Sequence, residues 1–165
     1  MSDPVITTPG RPPSRTRGAE LPVERSWLET QTPRQSVLGW PAGPVPGDTD
    51  ALTCHLFWIG TAGDDVGVVS FTPHACPWRP GVAAMYLWGM AVRSDAQHVG
   101  HGTHLLQAAL ERSRETGAAV VWADARLTAV RFHQRLGAVW QGPTCVDEVT
   151  GLPGVRVVFD LRSGG

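Results

Sequence analysis

Lysine and asparagine are absent from the 165-residue chain, so all 14 basic side chains are arginine. That bias reads as the codon usage of a GC-rich genome rather than as chemistry. The chain is also short of net charge. At −1 it offers no argument for nucleic acid or an anionic membrane as partner. No apolar run approaches the ~20 residues that span a bilayer, and the first residues show no apolar signal-peptide core. Cysteine is scarce. Cys54, Cys76 and Cys145 are odd in number and widely spaced, which excludes a disulfide framework. The expectation is a cytoplasmic protein with reduced thiols. Against these absences stand 42% hydrophobic and 18% charged residues, the balance of a globular protein with one core.

Residues 1–20 carry four prolines, three arginines and almost no apolar periodicity, so a flexible tail is expected there, followed by one domain over 21–165. Residues 21–35 read as a short helix with Val23, Trp27 and Leu28 on its apolar face, and 36–40 as a first short strand. Residues 41–50 form a Pro/Gly loop. Residues 52–60 and 66–73 are predicted strands around the glycine-containing hairpin loop 61–65. After the proline-rich loop 74–81, residues 83–92 form the next strand. A long helix over 103–116 ends at Gly117. A strand over 118–124, a short helix over 127–136 and two strands over 138–141 and 155–161 complete the order. The fold class is α/β (α+β): a mixed, mostly antiparallel sheet flanked by helices, with parallel pairing where the long helix crosses over.

Residues 85–110 hold the most specific local pattern. An apolar, uncharged strand runs into the turn Gln97-His98-Val99-Gly100-His101-Gly102-Thr103. Leu105, Leu106, Ala109 and Leu110 then form one apolar stripe of a helix. Two glycines at a helix start admit a close ligand, and the free N–H groups of the first turn suit a phosphate. A dinucleotide site would also want Gly100-x-Gly102 and an acidic residue such as Asp124 some twenty residues on. Its third glycine position is Leu105, however, and too few βα units remain for a doubly wound sheet.

Gln97-x-x-Gly100-x-Gly102, preceded by a strand ending Gly-Met-Ala-Val and followed by Ala129-x-x-Phe132-His133-x-x-Leu136-Gly137, resembles the GCN5-related N-acetyltransferase (GNAT) family over residues 50–162. The resemblance implies an acyl-CoA-dependent N-acyltransferase with the donor in the cleft between two central parallel strands. Acetyl would pass from acetyl-CoA to the primary amine of a small molecule by direct attack in a ternary complex. It also admits a homodimer. The segment before residue 52 is too short for the two helices usual in the family, which bears on the acceptor-side wall. The other reading of the same resemblance is a protein that binds acyl-CoA as a sensor or serves another reaction.

The resemblance assigns Gln97, His98, Val99, Gly100, His101, Gly102 and Thr103 to the pyrophosphate, and Met90, Ala91 and Val92 to backbone pairing with the pantetheine arm. His133 stands where the family places a tyrosine acid, and an imidazole of pKa near ~6.5 can also donate a proton. The plainer alternative is a buried histidine satisfied by one carbonyl. Arg126, in place of a common asparagine, reaches a CoA phosphate or a substrate carboxylate, or is a solvated charge. Asp124 is a candidate base or amine anchor, or a helix cap. Trp88 lines an acceptor pocket for an apolar or aromatic substrate, or packs in the core. His55 and His74 are acceptor-side candidates, or ordinary polar packing. His98, His101 and His104 recur every third residue, but no carboxylate or cysteine completes a ligand spacing, so no metal is expected.

Overall fold

The computed structural model describes residues 21–162, so the expected tail over 1–20 lies outside the described residues. Seven strands form one open sheet in the order β1-β2-β3-β4-β5-β7-β6. They are β1 (Leu21–Arg25), β2 (Cys54–Ile59), β3 (Asp65–Pro73), β4 (Ala84–Val92), β5 (Val120–Arg126), β6 (Val139–Val146) and β7 (Pro153–Asp160). The helices are α1 (Trp27–Pro33), α2 (His101–Glu115) and α3 (Val130–Arg135). All pairings are antiparallel except β4 with β5, where α2 makes the crossover.

Helix α2 forms because its apolar stripe is buried outright: Leu105, Leu106 and Ala109 pack against Leu56, Val69, Leu87 and Val121. Its end is set by Gly117, whose left-handed backbone lets Gly117 N–H and Ala118 N–H bond back to Arg114 O and Ser113 O.

The front of the chain differs from the sequence expectation. Residues 21–25 are not helix but strand β1, paired with β2 from Leu21↔Ile59 to Arg25↔His55. An edge strand needs only one apolar face, and Val23 supplies it. The helix starts at Trp27, after Ser26, whose N–H donates to Glu29 in a capping box. Leu28, expected on the apolar face, is exposed. Residues 36–40 are not a strand. Pro33 removes a helix donor, and the chain widens into a π-helical turn, Arg34–Leu38, closed by left-handed Gly39. At the other end, β5 runs on to Arg126 and β6 to Val146, because each finds partners on β7.

The π turn sets Arg34 into the protein interior. Its Nη1 donates to both carboxylate oxygens of Asp48 at 2.8 and 3.0 Å, with the two side chains 3% and 1% exposed. Arg34 Nη2 donates to Ser70 Oγ, and Trp88 Nε1 donates to Asp48 at 3.3 Å. His55 Nε2 donates to Asp48 O at 2.9 Å, and its Nδ1 meets Ser70 Oγ at 2.6 Å. Gly89 makes the room: a Cβ there would lie 2.6 Å from Arg34 Nε. Burial pulls the Arg34 pKa down, and Asp48 opposes that pull. Removing one partner strands a buried charge. Asp48→Ala is therefore expected to cost about 3–5 kcal/mol, read as a lower urea midpoint at unchanged slope. A loss below about 1 kcal/mol would mean the pair contributes no more than a surface bridge.

Candidate active site

Strands β4 and β5 pair from Ala84↔Val120 to Leu87↔Ala123, and there the pairing ends. Past that point β4 stays with β3, through Ala91↔Val68 and Val92↔Gly67. Strand β5 stays with β7, through Asp124↔Arg156 and Arg126↔Gly154. The two strands splay, and a cleft of about 560 Å³ opens between them. Its floor includes Tyr86, Trp88 and Met90 of β4 and Asp124 and Arg126 of β5. Leu38, Trp40 and Pro46 wall one side, and the β6–β7 hairpin brings Cys145, Asp147 and Glu148 to the other. A bulge between Gln141 and Cys145 accompanies that approach. The wall ahead of residue 52 is thus built by the π turn and the loop that follows it.

The floor is aromatic. Tyr86 stacks on Trp88 at 5.7 Å between centroids and meets Trp122 at 4.5 Å. Tyr86 OH donates to Asp124 Oδ2 at 3.1 Å, and Arg156 Nε donates to Asp124 Oδ1 at 2.9 Å. Burial, reinforced by the Asp124 charge, pushes the Tyr86 pKa up, so the phenol stays a neutral donor. Burial and Asp124 likewise raise the Cys145 pKa, which disfavours a nucleophilic thiolate.

His133 also lines the cleft and is 6% exposed. Its Nδ1 donates to Ala129 O at 2.9 Å. A carbonyl only accepts, so Nδ1 carries the proton and Nε2 of the neutral ring is an acceptor. Burial lowers the His133 pKa, the carbonyl opposing it. The expected proton-donor form is therefore the minority form at neutral pH, and the single-carbonyl arrangement is the one observed. Arg126 Nη2 donates to Leu38 O at 3.0 Å.

The remaining sequence candidates fall elsewhere. His55 lies in the Arg34–Asp48 network and does not line the cleft. His74 is exposed and packs its ring against Tyr86 and Trp122 at 6.0 and 5.5 Å. Residues 97–103 form a separate turn beyond the strand end. There Gln97 Nε2 donates to Val92 O at 2.8 Å, His98 has φ 64° and Gly100 φ 92°. Helix α2 has no side-chain cap, and its first bond back is His104 N–H to Gly100 O. The Gly102 and Thr103 N–H groups precede that bond, the position open to an anion. A Cβ on Gly102 would meet protein only at 3.5 Å, an ordinary contact. Packing thus does not demand glycine there. Among the described residues, no group of three or more His, Cys, Asp or Glu could hold a metal, and no helix is long and apolar enough to cross a membrane.

Sequence reasoning missed Tyr86, Arg156 and Trp40. Tyr86 is the only tyrosine of the chain, and its place two residues before Trp88 on one strand face was a readable signal. Arg156 needed the β5–β7 register, and Trp40 needed the π turn.

Comparison with known proteins agrees with this geometry. The model of the acetyltransferase (GNAT) family matches residues 23–138. The structure is similar to that of an N-acyl amino acid synthase from uncultured soil microbes, with TM-score 0.71 and 10% identity over 88% of this chain and 92% of that one. It is similar to an acyl-CoA N-acyltransferase from Pseudomonas aeruginosa, with TM-score 0.66 and 16% identity over 86% and 99%. It also resembles an aminoglycoside 6'-N-acetyltransferase complexed with coenzyme A, with TM-score 0.65 and 12% identity over 86% and 97%. No curated protein matches the sequence.

Two buried neutral histidines set a pH dependence. The pKa values of His55 and His133 are both lowered, chiefly by burial. The unfolded chain therefore binds more protons below the ordinary histidine value of ~6.5. Their contribution to stability is complete above that pH and is lost as pH falls toward the folded values. Urea midpoints from pH 7.5 to 5 should fall, and His133→Gln should flatten the slope. An identical slope in the variant would contradict the assignment.

Proposed function

The chain belongs to the GNAT family of acetyltransferases, and from that membership we propose that it moves acetyl from acetyl-CoA to the primary amine of a small molecule by direct attack. The observation that carries the reading is the splay beyond Leu87↔Ala123, with an uncapped helix N-terminus behind one strand and an aromatic-floored cleft in front. Fold relatives named for amino acids and for aminoglycosides share this sheet, so the fold alone leaves the acceptor open.

The residues present fit an acyl-CoA. The Gly102 and Thr103 N–H groups, in a turn braced by Gln97, suit its pyrophosphate, and the stretch Met90, Ala91 and Val92, which has parted from β5, suits its amide-bearing arm. When bound, it supplies an activated thioester carbonyl and a sulfur leaving group. The protein's own part is to orient the amine, take its proton and exclude water. Asp124, held by Tyr86 and Arg156, anchors the incoming ammonium, which gives one proton to solvent before it attacks as the neutral amine. His133 Nε2, unprotonated at neutral pH, accepts the proton that the amine loses as the C–N bond forms. It then returns that proton to the sulfur as the C–S bond breaks, so one ring serves as base and acid in turn.

Titration calorimetry should show acetyl-CoA binding in the micromolar range, lost in Gly102→Trp, whose side chain would fill the turn. A retained affinity in that variant would remove the donor site from 97–103. With an acceptor in hand, His133→Gln should lower kcat about 10²–10⁴-fold while KM for acetyl-CoA moves little. A kcat within a few-fold of the parent would leave His133 as packing alone.

A further inference from the structure

The cleft has a corner whose donors are unmatched. The Arg126 guanidinium is half-buried in the cleft wall, and its one bond is to the neutral Leu38 carbonyl. Among the described residues no carboxylate pairs with it. Two residues beyond Leu38, Trp40 lines the same cleft at 9% exposure, and its indole Nε1 is buried with no hydrogen-bond partner among the described residues. Its ring lies under Arg34, at 5.3 Å from centroid to guanidinium carbon, which holds the plane but satisfies no N–H. Leaving a buried donor unbonded is costly, and so is an unneutralised cation in a cleft wall.

Two of the three carboxylates that line the cleft are otherwise engaged. Asp124 is bonded by Tyr86 and Arg156. Asp147 Oδ1 accepts from Val149 N–H and Thr150 N–H at 2.8 and 2.9 Å, inside its own hairpin tip. Glu148 is exposed at the rim. The cleft therefore has one cation without a carboxylate, Arg126 on β5, and in its π-turn wall one buried N–H without a partner among the described residues, Trp40 Nε1.

The geometry points to a carboxylate-binding corner formed by Arg126 and Trp40, and so to an acceptor that carries a carboxylate as well as its amine, an amino acid. Asp124 and Arg126 lie on one face of β5, two residues and so roughly 6.6 Å apart along the strand. That places an ammonium anchor and a carboxylate anchor side by side, as a zwitterion with both groups on one carbon requires. The stacked Tyr86 and Trp88 would take the substrate's side chain. The assignment rests on the acyltransferase reading for the use of the corner, but not for its existence. Carboxylate binding is measurable without transfer.

The test uses matched probes on the full chain, titrated with and without saturating CoA: 3-phenylpropionate against 3-phenylpropionamide, and propionate against propionamide. The carboxylate of at least one pair should bind at least tenfold more tightly than its neutral amide. Arg126→Gln should bring that ratio to near one, Arg126→Lys should restore part of it, and Trp40→Phe should reduce it severalfold. Turnover of L-phenylalanine should exceed that of phenethylamine by a similar factor in kcat/KM, and the preference should vanish in Arg126→Gln. Equal binding of acid and amide in both pairs, or a preference that survives Arg126→Gln, would overturn the proposal. If the carboxylates bind but acetyl-CoA does not, the corner stands and the donor assignment falls.

Discussion

One break in hydrogen bonding organises this molecule. Two parallel strands share four register pairs and then part, each held by its antiparallel neighbour on the far side. A sheet twists, and a strand committed to an outer partner cannot also follow its inner one. What opens is a slot edged by backbone groups that have lost their ladder and need partners. The helix that makes the crossover begins behind the end of β4, with its first-turn N–H groups uncapped. The proposed donor site, acceptor cleft and reacting position all derive from the same divergence.

The acceptor side is held by a second constraint, the buried pair of Arg34 and Asp48. Through Trp88, Ser70 and His55 this pair ties the π turn to β2, β3 and β4. It fixes the Trp88 ring that floors the cleft, and it places Leu38 and Trp40 opposite Arg126. A buried ion pair is a weak source of net stability, because desolvation offsets its attraction. Its return here is geometry: it holds the π turn and the loop after it in place as one wall of the cleft.

The strand–turn–helix of 85–110 was legible because its signals agree. The apolar run, the glycines and the 3.6-residue stripe of Leu105, Leu106 and Ala109 all point to one arrangement. The front of the chain was not, because its structure is decided by distant contacts. Residues 21–25 become strand only by pairing with β2, and Ser36 to Leu38 become a π turn because Arg34 finds Asp48. His133 was visible as an inward residue from its i, i+4 spacing with Ala129. Its tautomer depended on the Ala129 carbonyl, which spacing does not show. Arg126 was visible as a charge; only the fold shows that it stands at the strand's end facing Leu38 and Trp40.

The central claim is that the separated edge of β4 is the surface on which the acyl donor lies. Hydrogen exchange read by mass spectrometry tests it directly, on the peptide spanning 88–92 with and without acetyl-CoA. The account predicts rapid exchange of part of that peptide in the free protein and strong protection on adding acetyl-CoA, while the peptide spanning 54–59 is unchanged. Exchange at 88–92 that is already slow and does not respond to acetyl-CoA would contradict it.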